Sequence, residues 1–376
     1  APLLPVADYT NDFLARQIDA EYRLATIENR LRSKRWFGDA IPSVGAGMNI
    51  SYTALLAGAT IHYDGMDWIQ ANVTDWTSPP TPRFDPAHPL LAKMIAACQA
   101  LADNARGRYL IQTPAYVDCV TTMSQMRGTQ EFCLDLVDCP EAVAAYRDRY
   151  LAAWLESAAF WREFFRRNRY PGTTNWASAF SPDEYEQIQC DFCLMVSPDT
   201  FSWLIAPEQR AEAAFFGGAV YHLDGPGAVA HLDALLEIPQ LKAIQWVPGA
   251  GQPTAGGWIP LLQRIQAAGK AIQIYARAAE VPSYKEHLRP EGLMLHFGFD
   301  EWGLSEAQCE DLMRSIEAWP GRGTQSRTRG RNEFGTSRDP RVQDRFRYSA
   351  FARSRGVARG GGEILDPPRT GVPYES

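Results

Sequence analysis

The chain has 376 residues, of which 45% are hydrophobic and 22% charged, and it carries a formal net charge of −7. This composition predicts a soluble globular protein, large enough for one big α/β barrel or for two ordinary domains. No run of about 18 apolar residues is present, which argues against a membrane span, and the acidic balance makes nucleic acid an unlikely main partner.

The cysteine content and the first residues predict a cytoplasmic protein. Seven cysteines in a chain of this length are an odd number and too few for a disulfide framework, so reduced thiols are expected. Residues 1–5 lack the basic region and the long apolar core of a secretory signal.

The first half of the chain alternates helical and extended patterns. A 3.6-residue apolar periodicity predicts a helix over 8–35. Further helices are expected at 91–101 and from Pro140, at a first-turn position, to Asn168. Short apolar runs predict the first three strands, at 40–47, 55–67 and 108–113.

The second half continues the alternation and ends in a helix capped at Ser305, over 305–319. Its short apolar runs predict five more strands, at 186–194, 219–221, 243–247, 270–275 and 292–297. Eight strands, mostly followed by helices, predict a (β/α)8 TIM barrel. The alternative is a doubly wound sheet, which would bring a phosphate-binding glycine loop, and Gly249-Ala-Gly251 is too sparse and too late to serve.

The chain is therefore divided into an N-terminal helical extension at 1–39, the barrel at 40–319 and an irregular tail at 320–376. The tail holds twelve Arg, no Lys and six acidic residues, a net of +6 against −13 for the rest of the chain. Few of its residues are large and apolar, so it cannot bury much core. It is interpreted as a loose extension, with an altered reading frame as an alternative.

The stretch from Ala219 to Gly227 carries the strongest signal for a functional site. A short strand is followed by His222 and Asp224, which lie two residues apart and so project to one side of an extended backbone. Gly225-Pro-Gly227 then turns the chain towards a helix at 228–236. Parallel α/β enzymes place their catalytic residues at this end of a strand.

Other residues at predicted strand ends are secondary candidates. Those expected to be catalytic or to line a substrate pocket are Asp64, Asp67, Asp191, Trp176, Trp246, Tyr275 and His296. For the aromatic residues, core packing is the alternative. Cys190 and Cys193 lie three apart on a predicted strand and so face opposite sides, which argues against a zinc or redox pair.

Several stretches resemble the uroporphyrinogen decarboxylase superfamily, which also contains the methylcobamide:thiol methyltransferases. The resemblance covers roughly 40–319 and rests on the order and spacing of modest motifs. These are Gly107-Arg-Tyr-Leu-Ile-Gln-Thr-Pro, Met126-Arg-Gly-Thr, Asp138-Cys-Pro-Glu-Ala-Val, Val196-Ser-Pro-Asp-Thr-Phe, Ala206-Pro-Glu, Tyr221-His-Leu-Asp-Gly and Ile244-Gln-Trp-Val-Pro-Gly-Ala-Gly.

The chain departs from both branches of that superfamily. The decarboxylases carry arginines on the first strand that grip porphyrin carboxylates, whereas the stretch Ile41 to Met48 has none, so porphyrin is disfavoured. Asp64 matches the position of the decarboxylase aspartate. The methyltransferases hold zinc with His-x-Cys and a late Cys. Here the resemblance suggests His222, Asp224 and a group among His296 to Asp300 as ligands for Zn²⁺ or another divalent metal.

The resemblance implies an enzyme that acts on a small molecule, with methyl transfer as the favoured reaction. A corrinoid would supply the methyl group, a corrinoid protein would be a partner, and a homodimer is compatible. In this interpretation His222, Asp224 and His296 hold a metal or orient the acceptor, and Asp64 is an acid–base or cation partner. The alternatives are decarboxylation of a smaller carboxylic acid and a non-catalytic barrel that binds a ligand or a partner.

Overall fold

The computed structural model describes residues 2–298, 303–319 and the strand 348–354. Its helices are α1 Phe13–Ile18, α2 Ala20–Ser33, α3 Ser51–Leu56, α4 Pro89–Ala105, α5 Cys119–Arg127, α6 Thr129–Asp138, α7 Pro140–Arg167, α8 Pro198–Thr200, α9 Ala206–Phe216, α10 Gly225–Ala228, α11 Leu232–Leu236, α12 Ile259–Ala267, α13 Val281–His287 and α14 Glu306–Glu317. Its strands are β1 Lys34–Gly38, β2 Ser43–Val44, β3 Thr60–Asp64, β4 Met66–Gln70, β5 Leu110–Ile111, β6 Thr173–Thr174, β7 Phe180–Ser181, β8 Glu186–Gln189, β9 Ala219–Asp224, β10 Leu241–Val247, β11 Ala271–Tyr275, β12 Leu293–Phe297 and β13 Tyr348–Ser354.

The main sheet has seven strands in the order β1-β13-β12-β11-β10-β9-β8. The strands β8 to β12 are all parallel, and β13 continues the parallel run before β1 pairs with it in the opposite direction. The mixed α/β class is therefore confirmed, and strands are present in all of the last five predicted ranges. The strand predicted over 186–194 is shorter, because β8 ends at Gln189 and Asp191–Met195 is a 3-10 helix, so the prediction that Cys190 and Cys193 lie on one strand is wrong.

A closed eight-stranded ring is not confirmed. Among the described residues, β2 and β5 pair only with each other, in a separate two-stranded parallel sheet. Within the region 320–376, which was expected to be irregular, the seven residues of β13 join the main sheet, and the rest of that region lies outside the described residues. The domain boundaries stay a prediction.

The prediction of a second barrel strand over 55–67 is wrong. Residues up to Leu56 belong to α3, and the remainder forms the antiparallel hairpin β3–β4. The chain reverses at Gly65, whose φ of 69° is accessible to glycine at little cost. Alternate residues of β3 are exposed, which is the pattern of a strand with one face in solvent.

The long helices agree with the sequence pattern because their signals are local. The helices α4, α7 and α14 fall where periodicity predicted them, and Ser305 accepts a hydrogen bond from the backbone N–H of Gln308 as the expected cap. The helix expected over 8–35 is instead two helices, since Asp19 ends α1 and caps α2 through the N–H of Tyr22 at 2.8 Å.

The loop after β2 is fixed against the N-terminal helices. Arg23 donates hydrogen bonds to the carbonyl oxygens of Gly45 and Ala46. Gly47 has a φ of 111°, and a Cβ there would clash with the carbonyl oxygen of Gln17 at the end of α1, so only glycine fits. The close approach of Gly47 to Gln17 places the loop against the end of α1.

The parallel strands carry two different faces. We define the apolar face as the alternate residues that pack into the main hydrophobic core against helices such as α9 and α12. It consists of Ile188, Tyr221, Leu223, Ile244, Trp246, Ile272, Ile274, Leu293 and Leu295. In the described part of the chain, every helix is too short or too polar to cross a lipid bilayer.

The polar face is the opposite side of the same strands. It carries a small apolar cluster that includes Val220, Ala243 and Met294, and polar side chains that continue to the carboxyl edge of the sheet. Its members from β8 to β12 are Gln187, Gln189, His222, Asp224, Gln245, Gln273, Tyr275 and His296.

Candidate functional site

Strand register brings residues of three strands together on the polar face. His222 pairs with Gln245, and Gln245 pairs with Gln273 on the next strand. Paired residues of parallel strands point to the same side, so these three side chains form one row across the sheet. Two residues further along, the chain presents Asp224 on β9 and Tyr275 on β11 at the carboxyl edge.

His222 is oriented by a buried glutamine. Its Nδ1 lies 2.6 Å from Oε1 of Gln245, and Nε2 of Gln187 donates to the same oxygen at 3.1 Å. An amide oxygen only accepts, so Nδ1 donates in this contact. Nε2 lies 4.0 Å from Oδ2 of Asp224, on the side that reaches solvent. The imidazole is therefore held with Nε2 at the edge of the sheet.

The hairpin β6–β7 lies over this row. Nε2 of Gln273 donates to the carbonyl oxygen of Ala177 in the hairpin loop at 2.8 Å. The neighbouring Trp176 meets the ring of His222 edge to face, with centroids 5.1 Å apart and an interplanar angle of 80°. The loop is thereby fastened to the sheet, and an indole covers one side of the imidazole.

Asp191 approaches the same place from the end of β8. It begins the 3-10 helix Asp191–Met195 and reaches solvent. The surrounding protein atoms nevertheless raise the pKa of its carboxyl group, the Asp224 carboxylate raises it further, and the imidazole of His222 lowers it. A carboxyl group that is accessible to water yet desolvated by its neighbours is typical of a cleft.

Tyr275 and His296 form a second pair at the carboxyl edge. Their ring centroids are 5.0 Å apart, and 46% of Tyr275 is exposed. Burial lowers the pKa of His296 to about 3, so this imidazole is neutral at ordinary pH. The structure therefore places Asp191, His222, Asp224, Tyr275 and His296 at the carboxyl ends of four parallel strands.

The donor atoms of the site do not form a complete set of metal ligands. Among the described residues, no group of three or more His, Cys, Asp or Glu side chains is arranged to hold an ion. His222 and Asp224 provide two ligands, and positions 299 and 300 of the predicted late ligand lie outside the described residues. The described residues by themselves thus do not fit a zinc site, which needs at least three protein ligands.

The two aspartates of the first half have other surroundings. Asp64 is exposed beside the hairpin turn at Gly65. Asp67 is fully buried, and its Oδ2 accepts the backbone N–H of Ser51 at the start of α3, 2.8 Å away. Oδ2 of Asp67 therefore caps a helix, while its Oδ1 has no hydrogen-bond partner among the described residues.

Trp246 and the cysteines belong to the core and not to the polar face. Trp246 alternates to the apolar face, is fully buried, and packs against Trp258 with centroids 5.0 Å apart. Cys190 and Cys193 are buried, and burial raises the pKa of both thiols. The structure does not bring these three residues to His222.

Three glutamines of the site were not predicted from the sequence. Gln187, Gln245 and Gln273 are buried in the site, and the last two stand among mostly apolar residues of their strands. A buried polar side chain in such a strand has to find a partner, so this pattern was the signal that could have revealed them.

Comparisons with known proteins do not assign a family. No protein-family model matches the chain. No curated protein matches it either. Among solved structures, a methyltransferase from Methanosarcina mazei matches with a TM-score of 0.49 and 11% sequence identity, covering 78% of this chain and 88% of that one. A likeness at this level assigns neither a fold family nor an activity to this chain.

Proposed function

We propose that the chain is an enzyme that acts on a small molecule at the carboxyl edge of β8–β12, with His222 as the proton acceptor. The observation that carries the proposal is the 2.6 Å contact between Nδ1 of His222 and the buried Gln245. That contact orients the ring and places Nε2 near Asp224 at the carboxyl edge of the sheet. A general base needs this kind of orientation by a second group.

The favoured reaction is methyl transfer to an acceptor that must lose a proton to become a nucleophile. Support for methyl transfer comes from the sequence resemblance described above. The same resemblance suggests a corrinoid as the methyl source, which would supply an electrophilic methyl group when bound, and a corrinoid protein as partner. Zinc would require at least one ligand beyond His222 and Asp224.

Decarboxylation is less well supported by the charges at the site. The charged groups that act on Asp191 there are the Asp224 carboxylate and the His222 imidazole. Two carboxyl groups at one site disfavour a carboxylate substrate, because like charges repel. A neutral or cationic acceptor suits this charge balance better.

The proposal is tested with methylcobalamin as donor and a panel of amine and thiol acceptors, by following the absorbance change as the methyl group leaves. The variant His222→Gln should lower kcat about 100-fold or more, which is the usual contribution of a general base. His287→Gln, at an exposed histidine on α13, is the matched control.

Gln245→Leu separates positioning from structure. It should lower kcat while leaving KM within about twofold, because the ring loses its orientation and not its base. Full activity of His222→Gln on a substrate that the parent enzyme turns over would refute the assignment of the base.

A further inference from the structure

Two carboxyl groups of the site lack a cationic partner from an arginine or lysine side chain. Neither Asp191 nor Asp224 forms a salt bridge with an arginine or lysine among the described residues. Carboxyl oxygens in this situation favour a ligand that donates hydrogen bonds and carries positive charge.

A buried amide oxygen strengthens this requirement. Gln273 is 2% exposed, and its Nε2 is fixed by the carbonyl oxygen of Ala177. Its Oε1 lies on the polar face with no hydrogen-bond partner within the described residues. An acceptor left unpaired in a buried position is unfavourable, and a donating ligand would pair it.

Aromatic rings border the same space. Trp176 lies against His222, and the partly exposed Tyr275 stands two residues beyond Gln273 on the same face. Indole and phenol faces attract organic cations. A hydrated metal ion, by contrast, has no use for aromatic walls and would require the third ligand that the described residues do not provide.

We infer that the ligand of this site is a small organic ammonium ion. Its N–H groups bind the oxygen atoms of Asp191, Asp224 and Gln273, and its carbon atoms lie against Trp176. This inference rests on the proposed function and deepens it, since it names the class of the acceptor.

The experiment compares the binding of n-butylammonium and 1-butanol to the full-length protein by ligand-observed NMR titration. The two probes have the same number of heavy atoms and differ in charge. The ammonium should bind about tenfold tighter or more, a difference worth about 1.4 kcal/mol. Asp191→Asn and Trp176→Leu should each remove most of this preference.

Matched controls lie outside the cleft. Asp183→Asn changes an exposed carboxylate just before β8, at the opposite end of that strand, and Trp68→Leu changes an exposed indole on the β3–β4 hairpin. Both should retain the preference for the ammonium. Circular dichroism spectra that match the parent show that each variant is folded.

Two outcomes would overturn the inference. One is equal binding of 1-butanol and n-butylammonium. The other is stoichiometric Zn²⁺ binding that depends on His222 and excludes the ammonium. Neither outcome bears on the proposed role of His222 as the base, because the activity of His222→Gln tests that role independently.

Discussion

Glu186 is the first residue of β8, and its carboxyl group is fully buried. Oε1 accepts the backbone N–H of Gln187 at 2.9 Å. Burial raises the pKa of Glu186 from 4.5 to about 8, and that hydrogen bond and the side chains of Thr113 and Asn175 oppose the shift without cancelling it. The folded protein therefore favours the protonated acid.

The sign of the pH dependence follows from this shift. A folded-state pKa above the unfolded value means that the folded state binds the proton more tightly. The stability contributed by Glu186 is thus complete below pH 4.5 and is lost as the pH rises to about 8. Each pH unit within this window costs about 1.4 kcal/mol, so the loss between about pH 5 and pH 8 is about 4 kcal/mol.

The perturbation that tests this reasoning is Glu186→Gln, which keeps the shape and removes the titration. We expect the free energy of unfolding, measured in urea, to fall by about 4 kcal/mol less in the variant than in the parent between about pH 5 and pH 8. Comparison with the parent cancels most of the effect of other buried carboxyl groups such as Glu208, whose pKa burial raises to about 7.

The control is Glu184→Gln, two residues away, which removes an exposed carboxylate paired with Arg162 at 2.8 Å. A surface ion pair contributes about 0–1 kcal/mol, and its contribution should not vary over this pH range. If Glu186→Gln and the parent lose the same stability on alkalinisation, the carboxyl group is not desolvated and the reasoning is refuted.

Three further predictions concern the packing that supports the site, each measured by urea unfolding. Gly47→Ala should lower the free energy of unfolding by about 3 kcal/mol or more, because the new Cβ meets a backbone carbonyl oxygen at a positive φ. The control Gly217→Ala, also at a positive φ but in open space, should lower it by only about 1–2 kcal/mol. Equal losses in the two variants would contradict the clash. Trp246→Leu should cost about 3 kcal/mol and leave ammonium binding unchanged, whereas a loss of binding would move this residue into the site. Asp67→Ala should cost about 1–3 kcal/mol by leaving the first N–H of α3 without an acceptor, and exposed Asp64→Ala should be within about 0.5 kcal/mol of the parent; equal effects would rule out the capping role.

Part of the site was accessible from the sequence because its signals are local. His222 and Asp224 stand at the end of a short strand with glycines after it, and Tyr275 ends a strand of its own. The hairpin at Gly65 was also readable, since Asp-Gly between alternating residues is a strong turn signal. The single-strand prediction there failed because the apolar run outweighed that turn.

The long helices and the strands β9 to β12 were determined by the sequence itself, through periodicity, capping residues and apolar runs that act within a few residues. The register of β10 with its neighbouring strands decided which of its side chains lie on the polar face. This register places Gln245 beside His222 and Trp246 in the core. The burial of Asp67 and the position of β13 next to β12 likewise depend on partners many residues away in the sequence. Local patterns cannot encode such pairings, because the free energy that selects them arises from contacts made only when the sheet and its covering helices assemble.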